Sequence, residues 1–383
     1  MNDKQTKVIH AQDRNIMLIA AAGSGKTTVL IHRIKNILKT QDPKKILAIT
    51  FTKKAAIEMR ERLNNALVDV FTFDALCYYY VYDGNFSIFD EDIFPKEELL
   101  KFSLFDIKTS FPKPKGYDNY VRYKKTMKLK DFNDIEYMFL NKICELNLNY
   151  TYIFIDEFQD TNDLQFEILK KLAKKDTHVF AVGDPDQSIY AFRGTKQSII
   201  NEYINFFHAT TYDLDMNYRS NEAIITSANN LIRHNKNRIK KKMVAYKKDK
   251  NIIGYLKFNN YLEESKMILK LIEKYPNLVI LTRTHERAYT LKQQLILSNL
   301  NNKILTIHES KGLEFEVVIL LGIDKNVMPK LIYYNELELE EERRLMFVGM
   351  TRAKSILIVT TLKASIFIKE AKLKPLNKRL IML

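Results

Sequence analysis

Short runs of β-branched and other apolar residues recur along the chain, each closed by a polar turn and often followed by a stretch of helical periodicity. They lie at Ile16–Ala20, Ile46–Thr50, Tyr152–Ile155, His178–Val182, Thr211–Asp215, Leu278–Leu281, Ile304–Ile307, Val317–Leu321 and Ile356–Thr361. Runs that are apolar at nearly every position predict strands covered on both faces, and their alternation with helices predicts parallel sheets. After the first turn, Leu30, Ile34, Ile37 and Leu38 fall at i, i+4, i+7 and i+8, the stripe of an amphipathic helix. Two regions break the rhythm. Residues 74–142 are rich in Tyr, Phe, Lys and Pro without strand–helix alternation, which predicts a mostly helical insertion. Near residues 206–210 one strand set gives way to the next, which divides the chain into 1–205 and 206–383. The expected fold class is therefore α/β, with two parallel-sheet domains.

Composition narrows the partners. The chain has 383 residues, comfortable for two domains, with 46% hydrophobic and 28% charged residues, as in a folded globular protein. The formal net charge of +15 favours polyanionic partners, nucleic acid first, although a solvated lysine surface gives the same sum. Only two cysteines occur, Cys77 and Cys144, with no ligand-spaced neighbours, so neither a disulfide framework nor a zinc site is expected. No apolar run reaches membrane-spanning length and residues 1–15 are polar; no membrane partner and a cytoplasmic location are expected.

The candidate chemistry begins directly after the first strand. Ala20-Ala21-Ala22-Gly23-Ser24-Gly25-Lys26-Thr27 is a glycine-rich turn opening a helix. Such a turn aims successive N–H groups, and the helix N-terminus, at a phosphate. Lys26 reaches the β- and γ-phosphates, and the Thr27 hydroxyl holds Mg²⁺. Ala20 stands where the general phosphate-loop formula has Gly. Farther on, Ile153-Phe154-Ile155 ends in Asp156-Glu157, acids at a strand terminus where open α/β sheets bind ligands. Asp156 would hold Mg²⁺ and Glu157 would activate water. Alone, such an acid pair is as well explained as a helix cap; with the phosphate loop it points to nucleotide hydrolysis.

An ordered series of motifs resembles the UvrD/Rep/PcrA-type superfamily 1 helicases from residue 1 to about 361. It comprises Asn2–Gln5, Ala20–Thr27, Ala48–Ala56, Thr72-Phe73, Asp156–Thr161, Gly183–Gly194, Asn217–Ser220, Thr306–Phe315 and Glu341–Ala353. The family's own phosphate loop carries Ala at that first position, so Ala20 ceases to be a departure. The resemblance implies two RecA-like domains and the cofactors ATP and Mg²⁺. It further implies that Ala22, Gly23, Ser24, Gly25, Lys26, Thr27 and Thr28 line the phosphates and that Gln5 reads adenine. Arg33 and Tyr218 would sandwich that base, Glu314 would accept from the ribose, and Gln187, Arg219 and Arg352 would contact the γ-phosphate. Gln187 falls in the first half and the two arginines in the second, so both halves would contribute to one nucleotide.

The same motifs imply a track for single-stranded DNA. Phe51, Phe73, Tyr190 and Phe192 would stack bases, each ring worth about 1–3 kcal/mol, and Thr50, Thr52, Thr72 and Arg193 would grip phosphates, with His308 beside them. Without the motifs, core packing is the ordinary fate of such rings. Phe192 stands where the family usually has Trp, a residue this chain lacks entirely. The family's first insertion corresponds to residues 74–142, shorter here, where Lys113-Pro114-Lys115 and Arg122-Tyr123-Lys124-Lys125 read equally as backbone contacts or a solvated face. Its second insertion would fall after the helix near Thr290–Leu297, where only Ser298–Lys303 is found. The basic run Lys236–Lys250 reads as a solvated loop. The expected function is an ATP-dependent translocase or helicase running 3′ to 5′ on single-stranded DNA and at duplex junctions. The missing second insertion keeps open an ATP-gated DNA-binding subunit whose protein partner separates strands. A small-molecule P-loop kinase is disfavoured by the ladder of rings.

Overall fold

Strand Ile46–Thr50 is buried at every position, which is what a strand covered on both faces requires. The computed structural model describes residues 1–107, 112–249, 252–331 and 335–378, and groups them into two compact units. The first comprises Met1–Ala20 and Lys26–Leu214; the second comprises Asp215–Leu383 together with the turn Ala21–Gly25. The first unit therefore runs past residue 205, because the strand at 210–214 joins its sheet.

In the first unit, the strands are β1 (Asn15–Ala20), β2 (Ile46–Thr50), β3 (Asp69–Thr72), β4 (Ser87–Ile88), β5 (Leu129–Lys130), β6 (Tyr152–Ile155), β7 (His178–Gly183) and β8 (Thr210–Leu214). Six of them form a sheet in the order β3-β2-β6-β7-β1-β8, every pair parallel. Its helices are α1 (Asp3–His10), α2 (Lys26–Ile37), α3 (Lys53–Leu63), α4 (Phe73–Val81), α5 (Lys96–Ile107), α6 (Tyr117–Thr126), α7 (Phe132–Lys142), α8 (Asp163–Leu172) and α9 (Ile199–Phe207). Of the predicted stripe, Leu30 and Ile34 are fully buried in a core shared with β1, β2 and β7, and Ile37 and Leu38, the latter just past α2, pack partly buried against it. The described residues of 74–142 are mostly helical, with one short parallel pair, β4 and β5, among the helices. Within this insertion Lys124 is buried, in ion pairs with Asp131 and Asp134 (2.8 Å to the latter) and over the Tyr120 ring. One lysine of the expected basic face is thus a structural tie.

The second unit contains β9 (Met216–Asn221), α10 (Glu222–Ile232), β10 (Val244–Lys247), β11 (Ile253–Lys257), α11 (Tyr261–Lys274), β12 (Val279–Thr282), α12 (Tyr289–Leu297), β13 (Ile304–Thr306), β14 (Phe315–Leu321), α13 (Glu336–Met350), β15 (Ala353–Thr361) and α14 (Ile366–Glu370). Its five-stranded sheet, β11-β15-β14-β12-β13, is again wholly parallel, with a core of its own around Leu256, Ile268, Ile280, Ile319 and Ile358. Part of the basic run Lys236–Lys250 is ordered against β9 as β10, so it is not one continuous loop; Lys250 lies outside the described residues.

Candidate active site

A parallel sheet gathers all its carboxyl ends on one edge, and that edge carries the chemistry. The phosphate loop follows β1, the Asp156-Glu157 pair follows β6, Asp184–Gln187 follows β7, and Thr50–Thr52 and Thr72-Phe73 follow β2 and β3. Gly23 and Gly25 adopt φ of +64° and +79°, which side chains rarely tolerate. A Cβ on Gly23 would stand 2.7 Å from the Asn217 amide nitrogen and 2.8 Å from the Arg219 Cβ. Asn217 donates to the Ala22 carbonyl (2.6 Å), and the Tyr218 N–H donates to the Gly23 carbonyl (2.9 Å). The loop is thereby fixed to the strand that carries Arg219.

Lys26 is ion-paired with Glu157, and Thr27 donates to Asp156 at 2.7 Å. Burial opposes the charge of Lys26, but Glu157, Asp156 and Asp184 outweigh it and raise its pKa. Burial, then the Glu157 charge, pushes Asp156 up to about 6. Glu157 sits at φ +56°, a left-handed conformation that turns the chain directly after β6. This donor set fits a magnesium nucleotide: a hydroxyl in contact with a carboxylate, a lysine beside them, and positive-φ glycines at a helix start. Thr27 and Asp156 would hold the ion, which would neutralise phosphate charge.

A residue not singled out by sequence reasoning links two of the motifs. Gln159 donates to Glu157 (2.6 Å) and Asp160 (3.2 Å) and accepts from the Asp184 N–H (2.9 Å). Gln187 in turn donates to Asp184 at 2.5 Å. Gln159 lies inside the quoted acidic motif, but spacing alone does not show that its side chain reaches the next strand.

In the second unit, Arg219 donates to Glu314 (2.7 Å) and to the Thr351 carbonyl (3.2 Å). Lys354 reaches Glu314 at 2.7 Å. Burial opposes ionisation of Glu314, yet Lys354 and Arg219 outweigh it and bring its pKa down to about 2. Glu314 therefore holds Arg219 here, beside any contact to a ribose. Arg352, 1% exposed, donates to the Val348 and Leu313 carbonyls at 3.0 and 3.1 Å. The Tyr218 ring lies 5.1 Å from that of Tyr246.

The expected role of Arg33 needs correction. Arg33 is 7% exposed, and its Nη1 donates to the carbonyls of Val8, Ile9 and Ala11 at 2.7–3.2 Å, with its guanidinium against the Phe180 ring. It closes the C-terminus of α1 from the buried face of α2 and presents no stacking face to a base. Thr28, by contrast, accepts from Arg62 of α3 at 3.0 Å, a neighbour no sequence signal announced. Gln5 also supports the fold directly, since its side-chain oxygen accepts from the Asn2 N–H (2.9 Å) and closes a capping box on α1.

The expected DNA residues divide. Phe51 stacks on Tyr190 (4.8 Å between centroids), Phe192 meets Tyr190 edge-on (5.7 Å), and the Arg193 guanidinium lies 5.7 Å from the Tyr190 ring. These four form one cluster. Thr52 and Thr72 cap α3 and α4 through their hydroxyls, Thr50 donates to the Thr52 carbonyl, and Phe73 is buried. Thr50, Phe51, Thr72, Phe73 and Arg193 nonetheless line one cavity of about 470 Å³. His308 stands in the second unit, half-buried in the turn after β13.

Two parallel-sheet units, with a phosphate loop after β1 and acids at the end of β6, define a P-loop protein of two RecA-like domains. Residues 5–193 match the AAA domain family, and residues 212–305 and 298–364 match the UvrD-like helicase C-terminal domain. The chain belongs to the UvrD/PcrA-type superfamily 1 helicases. It is 29% identical to ATP-dependent DNA helicase PcrA of Leuconostoc citreum over 377 residues, covering 81% of this chain and 50% of that one. It is 29% identical to PcrA of Staphylococcus aureus over 364 residues (78% and 50%) and 30% identical to DNA helicase II of Haemophilus influenzae (77% and 50%). The chain thus spans about half the length of these relatives. The two segments matched to the C-terminal domain meet at Ser298–Lys303, where the short connection between α12 and β13 lies.

Proposed function

We propose that the chain hydrolyses ATP to move 3′ to 5′ along single-stranded DNA and to separate duplex at junctions, as an ATP-dependent DNA helicase. The observation that carries the reading is the joint placement, on one sheet edge, of the Lys26–Glu157 and Thr27–Asp156 pairs beside the Phe51–Tyr190–Phe192–Arg193 cluster. Hydrolysis and strand binding then share the same strand termini, and Gln159 joins the acidic motif to the segment leading to Gln187. In this reading Lys26 and the loop N–H groups hold the phosphates, and Glu157 takes the proton of the attacking water. Arg219 and Arg352 offset the charge that develops on the γ-phosphate, a contribution worth roughly 10³–10⁵ in rate. The names of the relatives, ATP-dependent DNA helicase and DNA helicase II, support the same substrates.

The experiment is ATP turnover with and without single-stranded DNA, run beside strand displacement on duplexes with 3′ or 5′ tails. Stimulated turnover with displacement from 3′ tails only is the expected result. Stimulation without displacement from either tail would assign strand separation to a protein partner; turnover indifferent to saturating DNA at low salt would end the motor reading. Glu157→Gln should bind ATP but lower turnover by roughly 10²–10⁴, the contribution of a general base.

A further inference from the structure

The cavity of about 470 Å³ in the first unit has a floor and a rim of different chemistry. At the rim, Lys96, Phe132 and Arg193 are exposed. At the floor, Glu136 is 1% exposed and Asp160 2%, with Asp74 beside them. Glu136 accepts from Gln165 at 2.8 Å through Oε1, while its buried Oε2 meets no donor group. Asp74, from α4, and Glu136, from α7, line the cavity together where the two helices pack. Burial, then the charge of Asp74, pushes the Glu136 carboxyl well above its ordinary range. The Glu136 Oε2, without a donor, leaves an acceptor at the floor of the cavity. Among the amides of the lining, Asn133 donates to Ser103 and Gln165 to Glu136.

We propose that this cavity admits one unstacked base of the bound strand, edge first, and prefers bases bearing an exocyclic amino group over thymine. Phosphate is repelled by the acidic floor and attracted by Lys96 and Arg193 at the rim, so the base enters and the backbone stays outside. Phe51 and Phe73 line the cavity beside the inserted base. An acceptor-rich floor takes the amino hydrogens of cytosine, adenine or guanine, whereas thymine carries a carbonyl oxygen in place of cytosine's amino group and offers only its single N3–H, flanked by two carbonyl oxygens. The acid pair is thus a specificity element added to a track whose stacking is tolerant of base identity.

The proposal rests on the reading that the chain binds single-stranded DNA. Its test is fluorescence anisotropy of labelled oligo(dC) and oligo(dT) of equal length at one salt concentration, two pyrimidines with similar stacking. Oligo(dC) should bind about tenfold tighter, the order expected for correct edge recognition. Oligomers of N4,N4-dimethylcytosine, which lack the amino hydrogens, should bind like oligo(dT), and this arm leaves the protein untouched. In Asp74→Asn and Glu136→Gln, checked for unchanged melting, the dC/dT ratio should fall toward one while oligo(dT) affinity is kept. Equal affinity for the two oligomers, or a preference surviving dimethylation, overturns the base pocket alone. Failure to bind any oligomer overturns the DNA reading and the pocket with it.

Discussion

At Gly23 two requirements coincide: a left-handed φ of +64° and a wall formed by Asn217 and the Arg219 stem, each less than 3 Å from where a Cβ would stand. Gly84 meets only the first requirement, with φ +84° and nothing within 4 Å. Gly84→Ala should therefore cost only backbone strain, roughly 1–2 kcal/mol. Gly23→Ala should lose more stability than that and also abolish binding of a fluorescent ATP analogue, because the loop cannot keep its shape. Equal costs from urea titration of the two variants would show that the Asn217 contact yields freely. Glu314 offers a second residue-scale test. Its folded pKa of about 2 lies below the ordinary 4.5, so its contribution to stability is fully present above the higher value and declines as pH falls toward the lower. The difference in unfolding free energy between wild type and Glu314→Gln should be flat from pH 7 to about 5 and shrink below about 4.5. Because Glu314 is 43% exposed, solvent screening keeps that difference small. A difference that grows on acidification would reverse the assigned sign.

Helix α2 shows how one element serves two ends. Its first turn carries Lys26 and Thr27 to the phosphate loop, and two turns later Arg33 closes α1 through three carbonyls. Arg33→Met keeps the stem but leaves those carbonyls without a donor; hydrogen bonds to charged groups are worth about 1.5–3 kcal/mol each. The expected loss is about 3 kcal/mol in chemical denaturation, with the KM for ATP of the still-folded protein changed less than twofold. A KM raised tenfold or more at unchanged stability would restore Arg33 to the nucleotide. The element also shows what a sequence reveals. Contiguous features were legible: the strand–turn–helix of the loop, the stripe Leu30–Ile34, and acids ending β6 all follow from local order. Arg33 was misread because periodicity gives its helix face but not what packs there, which is α1 and Phe180. Asp74 and Glu136 were invisible as a pair, since only the packing of α4 against α7 brings them together. The strands β3, β9, β10 and β11 did not stand out because polar residues or glycine (Asp69, Asn217, Arg219, Lys247, Gly254) interrupt their apolar runs, and β8 moved the domain boundary from 205 to Leu214.

For the molecule as a whole, the formal charge of +15 acts on folding and on binding with opposite sign. Self-repulsion of a basic chain destabilises its compact state, so added salt should raise the melting temperature. Binding to single-stranded DNA releases condensed counterions, about 0.7 per phosphate neutralised, so added salt should weaken it. A track that engages roughly five to seven phosphates then gives a slope of about −3.5 to −5 for log affinity against log salt. The two trends separate the uses of the charge. If basic groups such as Arg193 and Lys96 line the strand, both trends appear in one preparation, and Arg193→Gln should lessen the slope by about 0.7. If the lysines form only a solvated surface, melting still responds to salt while DNA affinity stays flat. The surface reading and the track reading therefore agree on stability and part on binding, and a titration from about 50 to 200 mM salt, where several phosphate contacts change affinity by orders of magnitude, decides between them.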